Sequence, residues 1–156
     1  MKRFSAFAVL GTLVMFGSSL LLAQNNPFIG TWKLNAAKSK YAPGPGPRSS
    51  TRTYVAQGTG VKVTVETVAA DGSHNSNSYT ANYDDKDNPL PGSSTADTIA
   101  LKRSGNTVKF TLKKGGKVVS TGTNVVSKDG KVMTITQTGT NAGGQLTSTV
   151  AVYEKQ

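Results

Sequence analysis

The sequence predicts an all-β fold, an antiparallel up-and-down meander of about 8–9 strands that closes into a barrel and follows an N-terminal signal peptide. Two observations predict it. Short segments such as 61–66 and 107–113 alternate apolar and polar residues, which is typical of strands with one buried face. Turns that contain glycine, such as Gly115-Gly116, separate these segments closely enough to join them as hairpins. Closure into a barrel then removes the exposed edges of the sheet.

The first 23 residues have the layout of a secretory signal peptide. Residues 1–3 are a short basic start, residues 4–22 carry no charge, and the small residue Ala23 stands at the expected cut. We therefore expect a signal peptide at 1–23 and a barrel domain at 24–156, with no integral membrane segment after cleavage. An uncleaved anchor is the alternative, because the apolar run is near the lower limit for a membrane span.

Nine segments rich in Val and Thr are predicted as strands. In chain order they are 29–35, 50–57, 61–69, 76–83, 97–103, 107–113, 117–127, 131–139 and 145–154. Two longer connections, 36–49 and 84–96, are predicted as loops that could fold over a barrel mouth. Three prolines in the first bar regular sheet, and at most one helical turn fits there, around Asn35 to Lys40.

The composition excludes several classes of active site. The chain has 18 Lys+Arg, 8 Asp+Glu, one His and no Cys, for a net charge of +10. This excludes a disulfide scaffold, a thiolate metal site and a Cys nucleophile, and one His cannot form a multi-His metal cage. No phosphate loop, dinucleotide fingerprint or Gly-x-Ser-x-Gly is present. The acidic cluster at 84–88 lacks the spacing of a calcium loop. We expect no enzyme activity, no cofactor and no metal.

The positive charge does not form one patch on the predicted meander. Lysines flank the turns Gly115-Gly116 and Asp129-Gly130, which join opposite ends of the strand at 117–127. The outward Lys62, Lys102 and Lys109 protect strands against edge-to-edge aggregation. Nucleic acid is therefore not expected as a partner, and adhesion to anionic envelope polymers is kept as an alternative.

Both ends of the predicted barrel domain carry a family resemblance. Its first strand contains Gly30-Thr31-Trp32, and its last ends Val152-Tyr153-Glu154-Lys155. With the meander of hairpins, these motifs resemble the lipocalin and fatty-acid-binding proteins. The resemblance implies a lipocalin-like barrel that carries a small ligand. The arginine that precedes the final tyrosine by two residues in fatty-acid-binding proteins, and holds the ligand carboxylate there, is replaced by Ala151.

Seven residues are candidates for ligand binding: Trp32, Tyr54, Tyr79, Tyr83, Arg103, Phe110 and Tyr153. Tyr79 and Tyr83 share one face of a polar strand, and hydroxyl groups there would make the lumen partly polar. Arg103 is in phase with two apolar residues and is the first candidate for an inward cation, with Arg52 next to it in rank. An inward arginine suits a carboxylate or phosphate.

Each of these residues also has a structural interpretation. Trp32 can serve as a plug that closes one end of the barrel, and Phe110 fits the core. Arg103 can instead extend from the strand end to water.

Three functions remain open. The first is an exported lipocalin-like barrel, secreted or periplasmic and of bacterial type, that binds a small apolar or amphiphilic ligand as a monomer. The second is an exported structural or interaction β-protein with a filled barrel, no ligand and no catalysis. The third, an outer-membrane barrel, would need an apolar outer band, and the outward lysines oppose it.

Overall fold

The computed structural model describes residues 26–156, so the predicted signal peptide lies outside the described residues. The described chain is all β and has ten strands. They are β1 (Gly30–Ala42), β2 (Ser49–Gln57), β3 (Gly60–Val68), β4 (His74–Asn82), β5 (Asp84–Pro89), β6 (Thr98–Ser104), β7 (Thr107–Lys114), β8 (Lys117–Val126), β9 (Val132–Thr140) and β10 (Leu146–Lys155). The predicted antiparallel meander is confirmed, and all nine predicted strands are present.

The ten strands form one sheet in the order β4-β3-β2-β1-β10-β9-β8-β7-β6-β5. Each strand pairs with its neighbour in sequence, and β1 pairs with β10 to join the two ends of the chain. The two outermost strands, β4 and β5, lie side by side without a hydrogen-bonded ladder. The barrel is therefore nearly closed. No helix long and apolar enough to cross a membrane occurs within residues 26–156.

The prediction of 36–49 as a loop is wrong in its first half, because β1 continues to Ala42 and no helical turn forms around Asn35 to Lys40. The pairing of β1 with β10 shifts register between Asn35 and Lys40 and then resumes. Inside this bulge, the Ser39 hydroxyl donates to the Asn35 carbonyl at 2.8 Å and accepts the Val152 amide at 2.9 Å. The long β10 strand thus supplies partners that a short isolated helical turn would lack.

The prediction of 84–96 as one loop is also wrong in its first half, which forms β5, so the barrel has ten strands rather than 8–9. This strand is short and exposed, and its sequence is acidic instead of alternating. Two lysines form ion pairs with it: Lys102 on β6 lies 3.6 Å from Asp85, and Lys113 on β7 lies 2.9 Å from Asp87. These pairings join residues far apart in sequence, so no local pattern indicates them.

The hairpin turns contain glycine at the positions that the sequence predicts. Gly115 and Gly116 are the two residues between β7 and β8, with φ values of 55° and 76°. Positive φ at both central positions gives the turn a twist that matches the flanking strands, and glycine takes it without steric cost. The same reasoning correctly placed the lysines around this turn and those around Asp129-Gly130 at opposite ends of β8.

The two ends of the barrel differ. At one end, which we call the Phe28 end, Phe28 and Trp32 are fully buried together with Met133, Val61 and Val63. At the other, which we call the loop end, lie the connections β1–β2, β3–β4, β5–β6, β7–β8 and β9–β10. The core therefore fills the Phe28 end, and any free space in the barrel must lie toward the loop end.

Candidate functional site

A cavity of about 140 Å³ lies inside the barrel. Strands β2, β3, β4, β6, β7, β8 and β9 contribute to its wall, together with the connection between β5 and β6. Val65, Leu112 and Gln137 in this wall are partly exposed, whereas Ile135 and Tyr79 deeper in the barrel are buried. The cavity therefore opens toward the loop end.

The cavity wall has a polar side and an apolar side. On β2 to β4 it presents Arg52, Asn77 and Tyr79, with Val65 as the apolar member. The opposite side is mainly apolar, and its residues are Leu90, Ile99, Leu101, Phe110, Leu112 and Ile135. Ser93, Asn124 and Gln137 complete the wall. A molecule with one polar end and an apolar body would match this arrangement.

Arg52 is the charged residue in the cavity wall. It is carried inward because it lies opposite the buried Trp32 on β1 and opposite Val65 on β3, and directly opposed residues share one face of a sheet. Its Nε donates to the Tyr153 hydroxyl at 3.1 Å, and the guanidinium stands over the Tyr153 ring, 5.4 Å from the centroid. The head group is therefore fixed by one hydrogen bond and one stacking contact.

Tyr153 is the centre of a short hydrogen-bonded chain. While it accepts from Arg52, its own hydroxyl donates to Ser50 Oγ at 3.2 Å. Ser50 Oγ in turn lies 3.2 Å from Thr67 Oγ1. The chain runs from β10 across β2 to β3 and leaves the Tyr153 hydroxyl fully used. Tyr153 therefore positions Arg52 and is not itself part of the cavity wall.

Electrostatics keep the arginine charged and the phenols neutral. Burial alone lowers the pKa of Arg52, but the surrounding phenol groups of Tyr153, Tyr54 and Tyr79 act in the opposite direction, and the pKa lies above its ordinary value. Burial raises the pKa of Tyr54 and of Tyr79, and Arg52 only partly offsets this. At neutral pH Tyr54 and Tyr79 are therefore neutral, and their hydroxyl groups keep the proton that they can donate.

No acidic side chain neutralises Arg52. Four ion pairs join residues 26–156, and none includes Arg52. Of its five N–H groups, the one on Nε donates to the Tyr153 hydroxyl, and the Tyr54 hydroxyl lies beside the guanidinium. Arg52 is partly exposed, and it presents a positive charge to the cavity without a carboxylate beside it.

Two other buried polar atoms lack a hydrogen-bond partner among the described residues, the Tyr54 hydroxyl oxygen and Asn124 Oδ1. Tyr54 is 4% exposed and Asn124 is 6% exposed. The Arg52 guanidinium lowers the pKa of Tyr54 by its charge and by hydrogen bonding, but the two groups do not reach the distance and angle of a full hydrogen bond. Such atoms cost stability, and they mark this part of the barrel as built for more than packing.

The connection between β5 and β6 lies against the cavity. Leu90 and Ser93 contribute to the cavity wall, and Ala96 is fully buried. The segment closes on itself, because the Leu90 amide donates to the Asp97 carbonyl at 2.8 Å. The second half of the predicted loop 84–96 thus folds against the mouth of the barrel.

The seven candidate residues fall into three groups. Tyr79 and Phe110 contribute to the cavity wall. Tyr54 and Tyr153 lie behind it, next to Arg52. Trp32, Tyr83 and Arg103 are not in the cavity wall. The structure thus brings four of the seven to Arg52 or to the cavity.

The three residues outside the cavity have identifiable contacts. The Trp32 indole Nε1 donates to the Phe28 carbonyl at 2.8 Å, and Lys155 Nζ stands 5.1 Å from the centre of its ring. Trp32 therefore packs as a plug at the Phe28 end. Arg103 stacks on Tyr83 at 5.5 Å, and both are partly exposed.

Several cavity residues were not among the seven predicted from the sequence. Asn124 and Gln137 lie at inward positions of β8 and β9 and had no functional signal beyond being polar at an inward position. Leu90 and Ser93 lie in an irregular segment, for which alternation makes no prediction. Arg52 was ranked below Arg103. Both lie in phase with apolar residues, and only the three-dimensional contacts show which of them faces the cavity.

Within residues 26–156 no group of three His, Cys, Asp or Glu side chains could hold a metal ion. Two of the acidic residues of β5, Asp85 and Asp87, instead form ion pairs with Lys102 and Lys113. His74 lies at the exposed start of β4.

Comparison with known proteins supports the fold. The zebrafish ileal bile-acid-binding protein, solved in complex with cholic acid, is 13% identical, aligns over 84% of this chain and all of its own, and has a TM-score of 0.51. The siderocalin Ex-FABP, described as having dual ligand specificities, is 10% identical over 84% of this chain and 75% of its own, with a TM-score of 0.37. No family model and no curated protein sequence matches the chain.

The chain therefore has the barrel fold of the bile-acid-binding protein, and the resemblance to the lipocalin and fatty-acid-binding group is confirmed at the level of fold.

Proposed function

We propose that this protein is an exported, non-catalytic barrel that binds a small apolar or amphiphilic molecule in its internal cavity, as a monomer and without nucleic acid. The observation that carries the proposal is the cavity itself, with a polar wall at Arg52 and an apolar wall on β6 and β7. A filled structural barrel has no need of such a space, because protein interiors are normally packed to the density of organic crystals.

The size of the cavity limits the ligand. At about 140 Å³ it is smaller than the roughly 300–1,000 Å³ of common ligand pockets. An apolar cavity of about 150 Å³ accepts benzene. We therefore expect a ligand whose buried part is about the size of one aromatic ring. The zebrafish protein of the same fold was solved with cholic acid, a much larger molecule, so the same fold is used here with a smaller space.

A titration with neutral aromatic probes tests the binding function. Benzyl alcohol and benzamide, each with one aromatic ring and each followed by calorimetry, should give a saturable signal. In Leu112→Trp the larger ring occupies the cavity, and this variant should lose the signal. The matched control is Val55→Trp, because Val55 is 53% exposed and lies opposite the exposed Lys62 on β3. If no probe gives a saturable signal with the unmodified protein, the filled barrel is the better description.

The proposal of export rests on the sequence of residues 1–23. Expression in a bacterial host should deliver the protein to the periplasm or medium, with Gln24 as its first residue. N-terminal sequencing of the exported protein checks this. Recovery of the protein only in the cytoplasm, with Met1 intact, would contradict export without affecting the binding function.

A further inference from the structure

Arg52 gives the cavity a chemical preference that a general apolar site would not have. Resting on the proposed binding function, we propose that the natural ligand is a compact organic monoanion, a carboxylate on a body about the size of an aromatic ring, held by the Arg52 guanidinium.

The Arg52 guanidinium offers hydrogen-bond donors to a ligand. The Nε–H of Arg52 is used by the Tyr153 hydroxyl at 3.1 Å and the Tyr54 hydroxyl lies beside the guanidinium, whereas another part of the same side chain borders the cavity. The end of the guanidinium is thus available to an oxyanion, and two parallel N–H···O bonds to a carboxylate fit its planar fork. Stacking on the Tyr153 ring at 5.4 Å holds the fork in place before the ligand arrives, so little side-chain entropy is lost on binding.

The number of charged side chains at the cavity limits the charge of the ligand. Arg52 is the single charged side chain among the described residues that border the cavity. The nearby phenols are neutral donors because burial raises the pKa of Tyr54 and Tyr79. One cation balances one negative charge, and a second negative charge in this poorly hydrated space would be left uncompensated. A carboxylate is therefore favoured over a doubly charged phosphate monoester or phosphonate.

The shape of the cavity limits the body of the ligand. Apolar side chains of β6 and β7, among them Ile99, Leu101, Phe110 and Leu112, lie across the cavity from Arg52. A ligand anchored at Arg52 therefore directs its body toward an apolar surface. The volume of about 140 Å³ admits one ring and excludes a long alkyl chain or a steroid without rearrangement.

Paired probes on the unmodified protein provide the first test, since benzoate and benzamide share a planar shape and differ in charge. Calorimetric titration should show benzoate binding at least tenfold more tightly than benzamide, and more tightly than phenylphosphonate. Equal affinity for benzoate and benzamide would overturn the assignment of an anion, and tighter binding of phenylphosphonate would overturn the assignment of a carboxylate. This comparison does not depend on the folding of any variant.

Variants then locate the anion. Arg52→Gln should abolish the preference for benzoate and leave the affinity for benzamide within about threefold, because the apolar wall is unchanged. Arg52→Lys, which keeps the charge but loses the fork, should retain part of the preference. The control is Arg48→Gln, since Arg48 is exposed and donates to the Ala70 carbonyl; it should behave as the unmodified protein. A preference for benzoate that survives in a folded Arg52→Gln variant refutes the site.

The two proposals fail differently. If benzyl alcohol and benzamide bind and benzoate has no advantage, the barrel is a binding protein but the inference about the anion is wrong. If none of the neutral or anionic probes binds, the proposed function is wrong, and the inference falls with it.

Discussion

The hydroxyl groups of Tyr153 and Tyr54 provide a matched pair for testing the polar cluster behind the cavity. Both tyrosines are almost fully buried, with 3% and 4% of their surface exposed, and replacement by phenylalanine removes one oxygen in each case. The Tyr153 hydroxyl accepts from Arg52 and donates to Ser50. The Tyr54 hydroxyl has no hydrogen-bond partner among the described residues. The same chemical change should therefore alter stability in opposite directions.

The magnitude for Tyr153→Phe follows from the groups left behind. A hydrogen bond to a charged group contributes about 1.5–3 kcal/mol. Arg52 borders the cavity and can regain a water molecule there, and Ser50 retains Thr67 at 3.2 Å. We therefore expect the lower part of that range, a loss of about 1.5–2 kcal/mol. For a domain of this size that lowers the melting temperature by roughly 5–10 °C.

For Tyr54→Phe the expected effect has the opposite sign. The buried, unpaired hydroxyl pays a desolvation penalty in the folded protein and none in the unfolded chain. Its removal leaves the ring packed against Phe28, with the ring centroids 6.4 Å apart. The free energy of unfolding should stay the same or rise by about 1 kcal/mol.

Urea unfolding followed by the emission of Trp32 measures both variants. Trp32 is the single tryptophan of the chain and is fully buried in the fold, so its emission reports exposure on unfolding. Equal m-values in the two variants would show that the extent of unfolding is unchanged. A loss of similar size in both variants would refute the reasoning, because it would mean that the hydroxyl of Tyr54 is as well paired as that of Tyr153.

Two further predictions concern backbone packing and pH. Gly122→Ala should lower the free energy of unfolding by about 3 kcal/mol, because a Cβ there would collide with a β9 carbonyl and the Phe110 ring. Gly105 has open space around it but a φ of 57°, so Gly105→Ala should lower it by only about 1 kcal/mol. Urea titration compares the two variants. Hydrogen bonding from the Gly115 amide lowers the pKa of Asp97 below its ordinary 3.8. The carboxylate of Asp97 therefore binds a proton more readily in the unfolded chain than in the folded protein. The resulting stabilisation is present above pH 3.8 and is lost as the pH falls through the pKa of the folded protein. The unfolding midpoint of Asp97→Asn should therefore drop less than that of the unmodified protein between about pH 6 and about pH 3, and an equal drop would show that Asp97 contributes nothing.

The sequence by itself determined the architecture. Alternation along β3 and β7 identified which residues face inward, because a strand with one buried face must repeat every two residues. Paired glycines such as Gly115-Gly116 located the turns, because few other residues adopt positive φ at low cost. Where the local pattern was weak, the expectations failed. The strand β1 extends to Ala42 because it pairs with β10 at the far end of the chain, and β5 is a strand although its acidic sequence does not alternate.

The site required the tertiary structure. Tyr79 and Phe110 were correctly placed among the candidates, because inward position is a local property. The choice of Arg52 over Arg103 was not local: both are arginines in phase with apolar neighbours, and only folding brings Arg52 against Tyr153, 101 residues away, and places Arg103 on Tyr83. Whether space remains inside the barrel is likewise a sum over side chains from seven strands and one loop. Such a sum is decided by packing volumes in three dimensions, which the order of residues along the chain does not display.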